Sequence, residues 1–419
     1  MRAALILAAR SAWSRRLTLG LTLLAIALAT TLLLAVERIR VDARQSFAQS
    51  VSGVDLVVGA RTGSVPLILY AVFHSGTPSN NIAWASYETL ASHPAVEWAL
   101  PLSLGDSHRG FAVLGTTPEY FARFRHGDRQ ALHFTAGEAF AGIFEAVVGS
   151  EVAQRLGYRV GDRITLSHGL GDLGAEHGDK PFRITGILAA TGTPVDRTVH
   201  VALEAITALH LDWIGGARLP GFAVAPEHVA KFDLRPKEIT AALIALKQRG
   251  DVFRMQRFVN GFRGEPLLAV LPGVALDELW QAVGVVERIL LAVSALVVLV
   301  GLAGLAATLL AGLDQRRREL AILRALGAGP RDIFVMLLAE GLLVTSCGAL
   351  LGLLLVTLAG AVAAPWLLDR FGIVLGPGVS GPGELGLLAL VIATGLLAGL
   401  APGWRAWRLS LTDGLTPRN

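Results

Sequence analysis

Cysteine, lysine and the common catalytic motifs are scarce or absent in this sequence, and each absence narrows the interpretation. The single cysteine, Cys347, lies in an apolar segment, so no intrachain disulfide can form and the polar part of the chain must be stable without one. Lysine is nearly absent and arginine carries most of the positive charge. No basic run with interleaved aromatic residues indicates a nucleic-acid partner.

Recognisable nucleotide-binding and hydrolase motifs are also missing. The P-loop pattern G-x-x-x-x-G-K-S/T, the nucleophile-elbow pattern G-x-S-x-G and the zinc-protease pattern H-E-x-x-H do not occur in the 419 residues. We therefore assign no catalytic residue and expect neither enzymatic activity nor a cofactor bound by this chain's own motifs.

Apolar residues, by contrast, are abundant and concentrated in four segments. They make up 53% of the chain. The segments are residues 17–36, 283–313 (with a stalk at its start), 333–363 and 385–404. About 20 apolar residues in a helix cross a hydrocarbon core of about 30 Å, so the sequence predicts four transmembrane helices. For the first segment a cleavable signal peptide is the competing interpretation, but its apolar run would normally be only about 7–15 residues.

The placement of arginine predicts the orientation of these spans. Arginines cluster in the amphipathic segment 1–16, in the loop 314–332 and in the tail 405–419, whereas the loop 364–384 carries only Arg370. Because cytoplasmic loops are enriched in arginine and lysine, both termini are expected in the cytoplasm. Residues 37–282 then form a large external domain, which in a bacterium is periplasmic and anchored in the inner membrane.

The external region has the pattern of an α+β domain with two subdomains. A β-rich insertion at about residues 146–220 is predicted to be spliced into the first subdomain. The patterns predict strands at 54–59, 109–115, 222–225 and 251–257, and helices at 86–92 and 236–249.

All ten histidines fall in this external region, and a glycine-rich loop holds the densest group of ligand-type side chains. The loop sequence SHGLGDLGAEHGDKPF offers His168, Asp172, Glu176, His177 and Asp179. Imidazole and carboxylate groups are suitable ligands for zinc or another divalent ion. The spacing matches no recognised metal motif, so a solvated loop without metal remains the alternative.

Within the spans, one carboxylate and two glycine pairs stand out. Glu340 lies in the third span, where an ionisable residue is a functional candidate, although a structural pairing role is equally compatible. Gly348 and Gly352, and also Gly395 and Gly399, have the spacing that lets helix backbones approach closely.

The charged stretch between the second and third spans, RRRELAILRALGAGPRDI, is an amphipathic helix followed by a turn. Its apolar contacts come from Leu320, Ile322, Leu323 and Leu326. Gly327 is placed to cap the helix, and Pro330 suits the first turn of the next helix. Topology alone would explain the arginines but not the apolar face or the turn. Such a short helix is suited to docking in a groove of a cytoplasmic partner.

Three segments resemble the permeases of the FtsX, MacB and LolC/LolE group of ABC transporters. The stretch RRRELAILRALGAGPRDIFVMLLAEGLLV resembles the signature of these permeases, and Leu397–Pro417 resembles their last span and tail. AVVGSEVAQRLGYRVGDRITL, at Ala146–Leu166, resembles their MacB-like periplasmic core domain.

The resemblance implies a permease that works by mechanotransmission, in which ATP-driven movement of the membrane helices moves the periplasmic domains. It implies a homodimer, or a heterodimer with a related permease, and a separate cytoplasmic ABC ATPase that binds ATP and magnesium; MacB itself carries its ATPase on the same chain. The residues that would contact the ATPase are Arg317, Arg318, Glu319, Ile322, Arg324, Leu326 and Gly327.

Three functions remain open at the level of sequence. The chain could export or extract a lipoprotein, peptide or amphiphile, with a periplasmic adaptor or substrate protein as a further partner. It could instead act as an FtsX-like signal transducer that activates a periplasmic partner without moving cargo. A zinc-linked ABC system is the third alternative.

Overall fold

The computed structural model of the protein describes two compact units. The described residues are 16–76, 78, 80–169, 178–214, 217–218, 224–315, 322, 324–325, 327–371, 375–376 and 381–408. We call Met1–Ala43 together with Val283–Asn419 the membrane unit, and Arg44–Ala282 the extramembrane unit. Each unit contains its own clusters of buried apolar side chains.

Helices and strands are numbered in chain order. The helices are α1 (Arg16–Gln49), α2 (Ser64–Ala71), α3 (Trp84–Ala91), α4 (Glu119–Arg123), α5 (Ser150–Leu156), α6 (Leu203–Leu209), α7 (Val252–Asn260), α8 (Pro272–Gln315), α9 (Pro330–Phe371) and α10 (Pro382–Arg408). The strands are β1 (Leu56–Ala60), β2 (Ile82–Ala83), β3 (Val96–His108), β4 (Phe111–Thr116), β5 (Arg125–His126), β6 (Gln130–Ala131), β7 (Phe134–Gly137), β8 (Glu145–Val148), β9 (Arg163–Ile164), β10 (Ser167–His168), β11 (Phe182–Leu188), β12 (Thr198–Ala202), β13 (Trp213–Ile214), β14 (Ala217–Arg218), β15 (Glu238–Ile239), β16 (Ala241–Leu246) and β17 (Leu267–Val270).

Four helices in the described part of the chain are long and apolar enough to cross a membrane, as the sequence predicts: α1, α8, α9 and α10. These helices extend beyond the predicted apolar spans. Helix α1 continues past residue 36 to Gln49, α8 begins at Pro272 rather than at 283, and α9 reaches Phe371, into the predicted loop 364–384. A helix has no need to end where its apolar run ends, because its backbone hydrogen bonds are internal to the segment.

The predicted close approaches at glycine occur between helices of the same chain. A Cβ at Gly352 would lie 2.7 Å from the Ala27 carbonyl oxygen of α1, and the Thr31 hydroxyl donates to the Gly352 carbonyl at 3.2 Å. Two turns earlier on α9, the Thr345 side chain would lie 2.3 Å from a Cβ placed at Gly395 of α10. Small residues therefore set the spacing of α1, α9 and α10.

A buried ion pair also joins α1 to α10. The Arg38 guanidinium donates to the Glu384 carboxylate at 2.6 Å, and the two side chains are 4% and 2% exposed. An ion pair withdrawn from water this completely depends on both partners, because removing either one leaves an uncompensated charge.

The extramembrane unit is built around one mixed sheet. Its strand order is β17-β1-β16-β3-β4-β12-β8-β11-β7, with β10 paired to β3 and β9 paired to β11. The β12–β4 and β11–β8 pairs are parallel and the other pairs are antiparallel.

The long strand β3 takes part in both halves of this sheet, and the predicted division into two subdomains stays a prediction. Its first half pairs with β16 up to Leu102, and its second half pairs with β4 from Ser103 onward. A register shift between Leu104 and Ser107, with Gly105 at φ 154°, bends the strand there. Because β4 already belongs to the second half of the sheet, the β-rich part begins well before the predicted boundary at residue 146.

The prediction of a helix at residues 236–249 is wrong. This segment holds β15 and β16, and all six residues of β16 are buried between β1 and β3. The alanine- and leucine-rich sequence favours a helix locally. Pairing on both edges and packing on both faces override that preference, and neither can be read from the local pattern.

Two other predicted strands of this region are also corrected. Residues 251–257 do not form a strand: from Val252 onward they form α7, which buries Met255 and Val259 one turn apart and exposes Phe253 and Phe258. In the predicted strand 222–225, residues 222–223 lie outside the described residues and 224–225 have no strand structure.

Candidate functional site

The turn between α8 and α9 has the capped geometry that the sequence predicts. Gly327 has a φ of 101°, a left-handed conformation that favours glycine, and its N–H donates to the Arg324 carbonyl at 3.0 Å. Pro330 begins α9, and the Asp332 carboxylate accepts from the Gly329 N–H at 2.8 Å. This pair is one half of a capping box, so the start of α9 is defined by its own sequence.

The predicted ATPase-contacting residues are only partly described by the structure. Ile322 is 59% exposed, and the Arg324 guanidinium donates to the Trp407 carbonyl at 3.5 Å. Arg317, Arg318, Glu319 and Leu326 lie outside the described residues. Their contact with an ATPase therefore stays a prediction.

Aromatic side chains attach the start of α9 to the end of α10. The Phe334 and Trp407 rings meet edge to face with centroids 5.8 Å apart, and Trp404 lies 6.5 Å from Trp407. A Cβ at Gly403 would lie 2.9 Å from the Phe334 ring, so the glycine permits this approach. The turn is thus supported by a packed helix pair, which is what transmission of a force through it would need.

Glu340, the predicted intramembrane candidate, lies on α9 and is half-buried. A half-buried position is compatible with a structural pairing role and with a transport role, so the role of Glu340 stays a prediction.

A second cluster of functional groups lies in the extramembrane unit, at the bend of β3. Asp106, His168 and His210 each place one ligand-type atom within 4.8 Å of the others. His168 Nδ1 lies 3.2 Å from the Asp106 carboxylate and 3.1 Å from His210 Nε2, and His210 Nε2 lies 3.8 Å from the same carboxylate oxygen.

Strand pairing brings His168 to Asp106. The short strand β10 pairs with β3 so that His168 is opposite Asp106, and the Ser107 hydroxyl donates to the Gly169 carbonyl at 2.6 Å. The Gly169 N–H in turn donates to the Gly105 carbonyl at 2.9 Å. The bend in β3 and these bonds hold the Asp106 side chain inside the unit, where it is 2% exposed.

A separate element brings His210 to the same point. His210 follows the last residue of α6, and its Nδ1 lies 2.7 Å from the Ile206 carbonyl oxygen. Next to it, the buried Lys180 ammonium donates to the Asp212 carboxylate at 2.5 Å and to the Leu209 carbonyl at 3.3 Å. The segment that carries His210 is therefore tied to the last residues of the histidine-bearing loop.

The carboxylate dominates the electrostatics of this cluster. The hydrogen bond from the His168 imidazole to Asp106 raises the pKa of His168, against the lowering effect of burial. The Trp213 ring lies 6.0 Å from the His168 ring and covers part of the cluster.

The structure places one of the metal-ligand candidates in this cluster, and metal binding by any of them stays a prediction. His168 belongs to it, Asp179 is exposed and lies outside it, and Asp172, Glu176 and His177 lie outside the described residues. Asp106 and His210 were not predicted. The polar run Gly105–His108 in an otherwise apolar strand was the available signal for Asp106; for His210 the sequence offers none.

Comparison with known proteins identifies the family. The family model described as MacB-like periplasmic core domain matches residues 19–231, and that described as FtsX-like permease C-terminal matches residues 291–411. The chain belongs to the FtsX/MacB/LolC family of ABC transporter permeases.

Curated relatives of this permease are similar at low identity. The macrolide export ATP-binding/permease protein MacB of Nitrobacter winogradskyi is 24% identical over 94% of the chain and 57% of the relative. The pyoverdine export ATP-binding/permease protein PvdT of Pseudomonas entomophila is 25% identical over 77% of the chain and 45% of the relative. The chain spans about half the length of these relatives.

A shorter relative and a solved structure are also similar. The lipoprotein-releasing system transmembrane protein LolC of Haemophilus influenzae is 24% identical over 63% of the chain and 62% of the relative. The solved structure is the crystal structure of the periplasmic region of MacB from Actinobacillus actinomycetemcomitans. The match covers 55% of this chain and 94% of the crystallised chain, with 9% sequence identity and a TM-score of 0.33.

Proposed function

We propose that this permease couples ATP hydrolysis, in a nucleotide-binding domain outside these 419 residues, to export or extraction of an amphiphilic cargo. The observation that carries the proposal is the FtsX-like permease match over residues 291–411, because that segment contains the capped turn between α8 and α9. The 419 residues contain no P-loop, so the ATP and magnesium would be bound elsewhere.

The turn is the proposed point at which force enters the permease. Ile322 is largely exposed and would insert into an apolar groove of the ATPase, while Arg317, Arg318, Glu319 and Arg324 would pair with charges at its rim. Gly327 and Pro330 give this segment a defined exit into α9, so a displacement of the docked helix would move α9 rather than be absorbed by a flexible loop.

Helices α1 and α8 are the proposed route to the extramembrane unit. Each contains residues of both units, since α1 runs from Arg16 to Gln49 and α8 from Pro272 to Gln315. An unbroken helix transmits an axial or tilting movement better than a loop, because each of its backbone hydrogen bonds would have to break to absorb it. We place both termini in the cytoplasm and the extramembrane unit in the periplasm, on the arginine distribution.

Export of cargo is favoured over signalling without transport by the names of the relatives. Two of them are named for macrolide and pyoverdine export and one for lipoprotein release. The three names refer to chemically different substances, so the proposed cargo is stated only as a lipoprotein, peptide or amphiphile. FtsX-like signalling to a periplasmic partner is the second candidate, and the permease would act as a homodimer or heterodimer in either case.

Charge reversal at Glu319 tests the proposed coupling. Glu319→Lys is expected to abolish co-purification of the cognate ABC ATPase and the stimulation of its activity by the permease, because a carboxylate that pairs with an ATPase cation becomes a repelling charge. Membrane insertion should be unchanged, since the residue lies in the loop between spans. Co-purification and ATPase rate in detergent or nanodiscs are the measurements.

Glu227→Lys provides the matched control. Glu227 is exposed in a short helical turn of the extramembrane unit, so the same charge reversal there should leave ATPase binding and stimulation at the wild-type level. If Glu319→Lys also keeps wild-type binding and stimulation, the docking assignment is wrong.

A further inference from the structure

We propose that Asp106, His168 and His210 form a binding site for a divalent transition-metal ion of the zinc type, and that these three are its ligands within the described part of the chain. The three ligand atoms are a carboxylate oxygen of Asp106, Nδ1 of His168 and Nε2 of His210. This site does not depend on the proposed function, because it rests only on the geometry of the extramembrane unit.

The distances between the ligand atoms fit tetrahedral coordination. Zinc–nitrogen and zinc–oxygen bonds of about 2.0–2.1 Å place the corners of a tetrahedron about 3.3–3.4 Å apart. The three separations here are 3.1, 3.2 and 3.8 Å. Shifts of a few tenths of an ångström would thus bring all three atoms onto one ion.

The tautomer of His210 directs a lone pair at this position. Its Nδ1 lies 2.7 Å from the Ile206 carbonyl oxygen, which can only accept, so the proton resides on Nδ1. In the neutral imidazole, Nε2 then carries a lone pair aimed at Asp106 and His168. An imidazole whose second nitrogen donates to a backbone carbonyl is the usual arrangement of a metal-ligating histidine.

His168 Nδ1 lies within hydrogen-bonding distance of both other ligand atoms. With the His210 imidazole in its neutral form, the Asp106 carboxylate and His210 Nε2 are both acceptors, and a proton on His168 Nδ1 lies between them. A divalent ion would take the place of this proton on Nδ1 and satisfy the carboxylate and both imidazoles together. Asp106 is 2% exposed, so its charge has much to gain from a bound cation.

The ligand set selects the kind of metal. Two imidazoles with one carboxylate suit zinc and its first-row neighbours, whereas calcium and magnesium prefer sites made of oxygen ligands alone. The His168 and His210 side chains are 40% and 28% exposed, so an ion can reach the cluster from solvent. Tetrahedral zinc would take a fourth ligand in addition to these three.

Zinc titration of the intact protein tests the proposal. The full-length protein, purified in detergent with a tag that lacks histidine and stripped with a chelator, is titrated with Zn²⁺ against a chromogenic chelator. We expect one tight equivalent per chain, and Co²⁺ in its place should give the intense visible bands of four-coordinate geometry.

Single ligand substitutions give the expected fold-changes. His168→Gln and His210→Gln should each weaken zinc binding by at least about 100-fold, because even loss of a residue that only supports a ligand costs 10–100-fold. Asp106→Asn should do the same while keeping the shape of the buried side chain. Circular dichroism shows whether each variant keeps its fold, and substitution of His168, the most exposed of the three ligands, should disturb it least.

His228→Ala is the matched control and should bind zinc as the wild type does, because His228 is exposed in the same unit and outside the cluster. Absence of a tight zinc equivalent in the wild type would overturn the proposal. So would wild-type affinity in folded His168→Gln and His210→Gln. Loss of zinc in His177→Ala with retention in His210→Gln would also overturn it, since the ligands would then belong to the loop.

Discussion

At the scale of single residues, His200 is a buried neutral imidazole surrounded by aromatic rings. It lies on β12 with no exposed surface, 5.4 Å from the Tyr120 ring and 5.7 Å from the Phe121 ring. Nδ1 lies 3.4 Å from the Val147 carbonyl, and within the described part of the chain Nε2 has no hydrogen-bond partner. Burial lowers the pKa of His200 to about 3, because a charge there would be neither hydrated nor paired.

We expect this histidine to make the protein acid-sensitive. In the unfolded chain the imidazole takes up a proton near pH 6.5, whereas in the folded protein it does so only near pH 3. The unfolded state thus binds more protons between these values, so stability falls as the pH drops, by up to about 1.4 kcal/mol per pH unit from this group. His200→Leu should lose less stability than the wild type between pH 7.5 and pH 5, measured as the shift of the unfolding midpoint.

The wild type and His200→Leu are compared by how much stability each loses between pH 7.5 and pH 5. Their absolute stabilities are not compared, because the substitution alters packing at every pH. His74, whose pKa burial lowers to about 4, is unchanged in both proteins and contributes equally to their profiles. Parallel profiles for the wild type and the variant would contradict the prediction.

The residue scale also shows where prediction from sequence stops. His168 could be proposed as a ligand because it lies in a loop dense in histidine and carboxylate, but its two partners are 62 and 42 residues away. Asp106 reaches it through the register of β3 and β10, and His210 through the end of α6. Neither contact can be recognised from the spacing of residues along the sequence.

At the scale of elements, the contact between α1 and α9 depends on a glycine. The Gly352 Cα faces Ala27 and Thr30, and an added Cβ would lie 2.7 Å from a carbonyl oxygen and 2.8 Å from the Thr30 Cβ. Backbone atoms cannot move aside as a flexible side chain can. The helices would have to separate along their length to accept a methyl group.

Gly352→Ala is therefore expected to destabilise the membrane unit. Overpacking of a close contact costs about 1–3 kcal/mol, which should lower the thermal unfolding midpoint of the detergent-solubilised protein. Gly304→Ala in α8 is the control, because nothing lies within 4 Å of a Cβ placed there. Equal midpoints for the two variants would show that the α1–α9 contact is not as close as described.

Prediction of elements succeeded where the local pattern decides and failed where pairing decides. The four spans follow from length and apolarity alone, and Gly327 and Pro330 follow from backbone conformational preferences. The helix predicted at 236–249 is a strand instead, because β16 lies between β1 and β3. A short alanine- and leucine-rich segment can form a helix or a buried strand. Pairing with β1 and β3 decides that it forms a strand.

At the scale of the whole molecule, the extramembrane unit has the features of an independently folding domain. It is one continuous segment, Arg44–Ala282, with its own apolar core. The two ends of this segment meet: the Phe47 and Trp280 rings lie 5.4 Å apart, and the Arg44 guanidinium lies 5.3 Å from the Trp280 ring centre. A unit whose ends are adjacent can be inserted between two helices without strain.

The fragment of residues 44–282 should consequently be soluble and unfold cooperatively without the spans. We expect a single sigmoidal urea transition that coincides by far-UV circular dichroism and tryptophan fluorescence. A fragment with Phe47→Ala and Trp280→Ala should remain folded but show a lower midpoint. Non-coincident transitions in the unsubstituted fragment would mean that the unit needs the membrane helices to fold.

The sequence by itself determined the features that depend on neighbouring residues along the chain. These are the four apolar spans, the capped turn at Gly327 and Pro330, and the family signatures around them. Tertiary structure alone decided which residues meet across long separations: β16 with its two neighbours, Arg38 with Glu384, and Asp106 with His168 and His210. Local backbone preferences and apolar periodicity act over a few residues, whereas these contacts arise from strand register and helix packing that involve the chain as a whole.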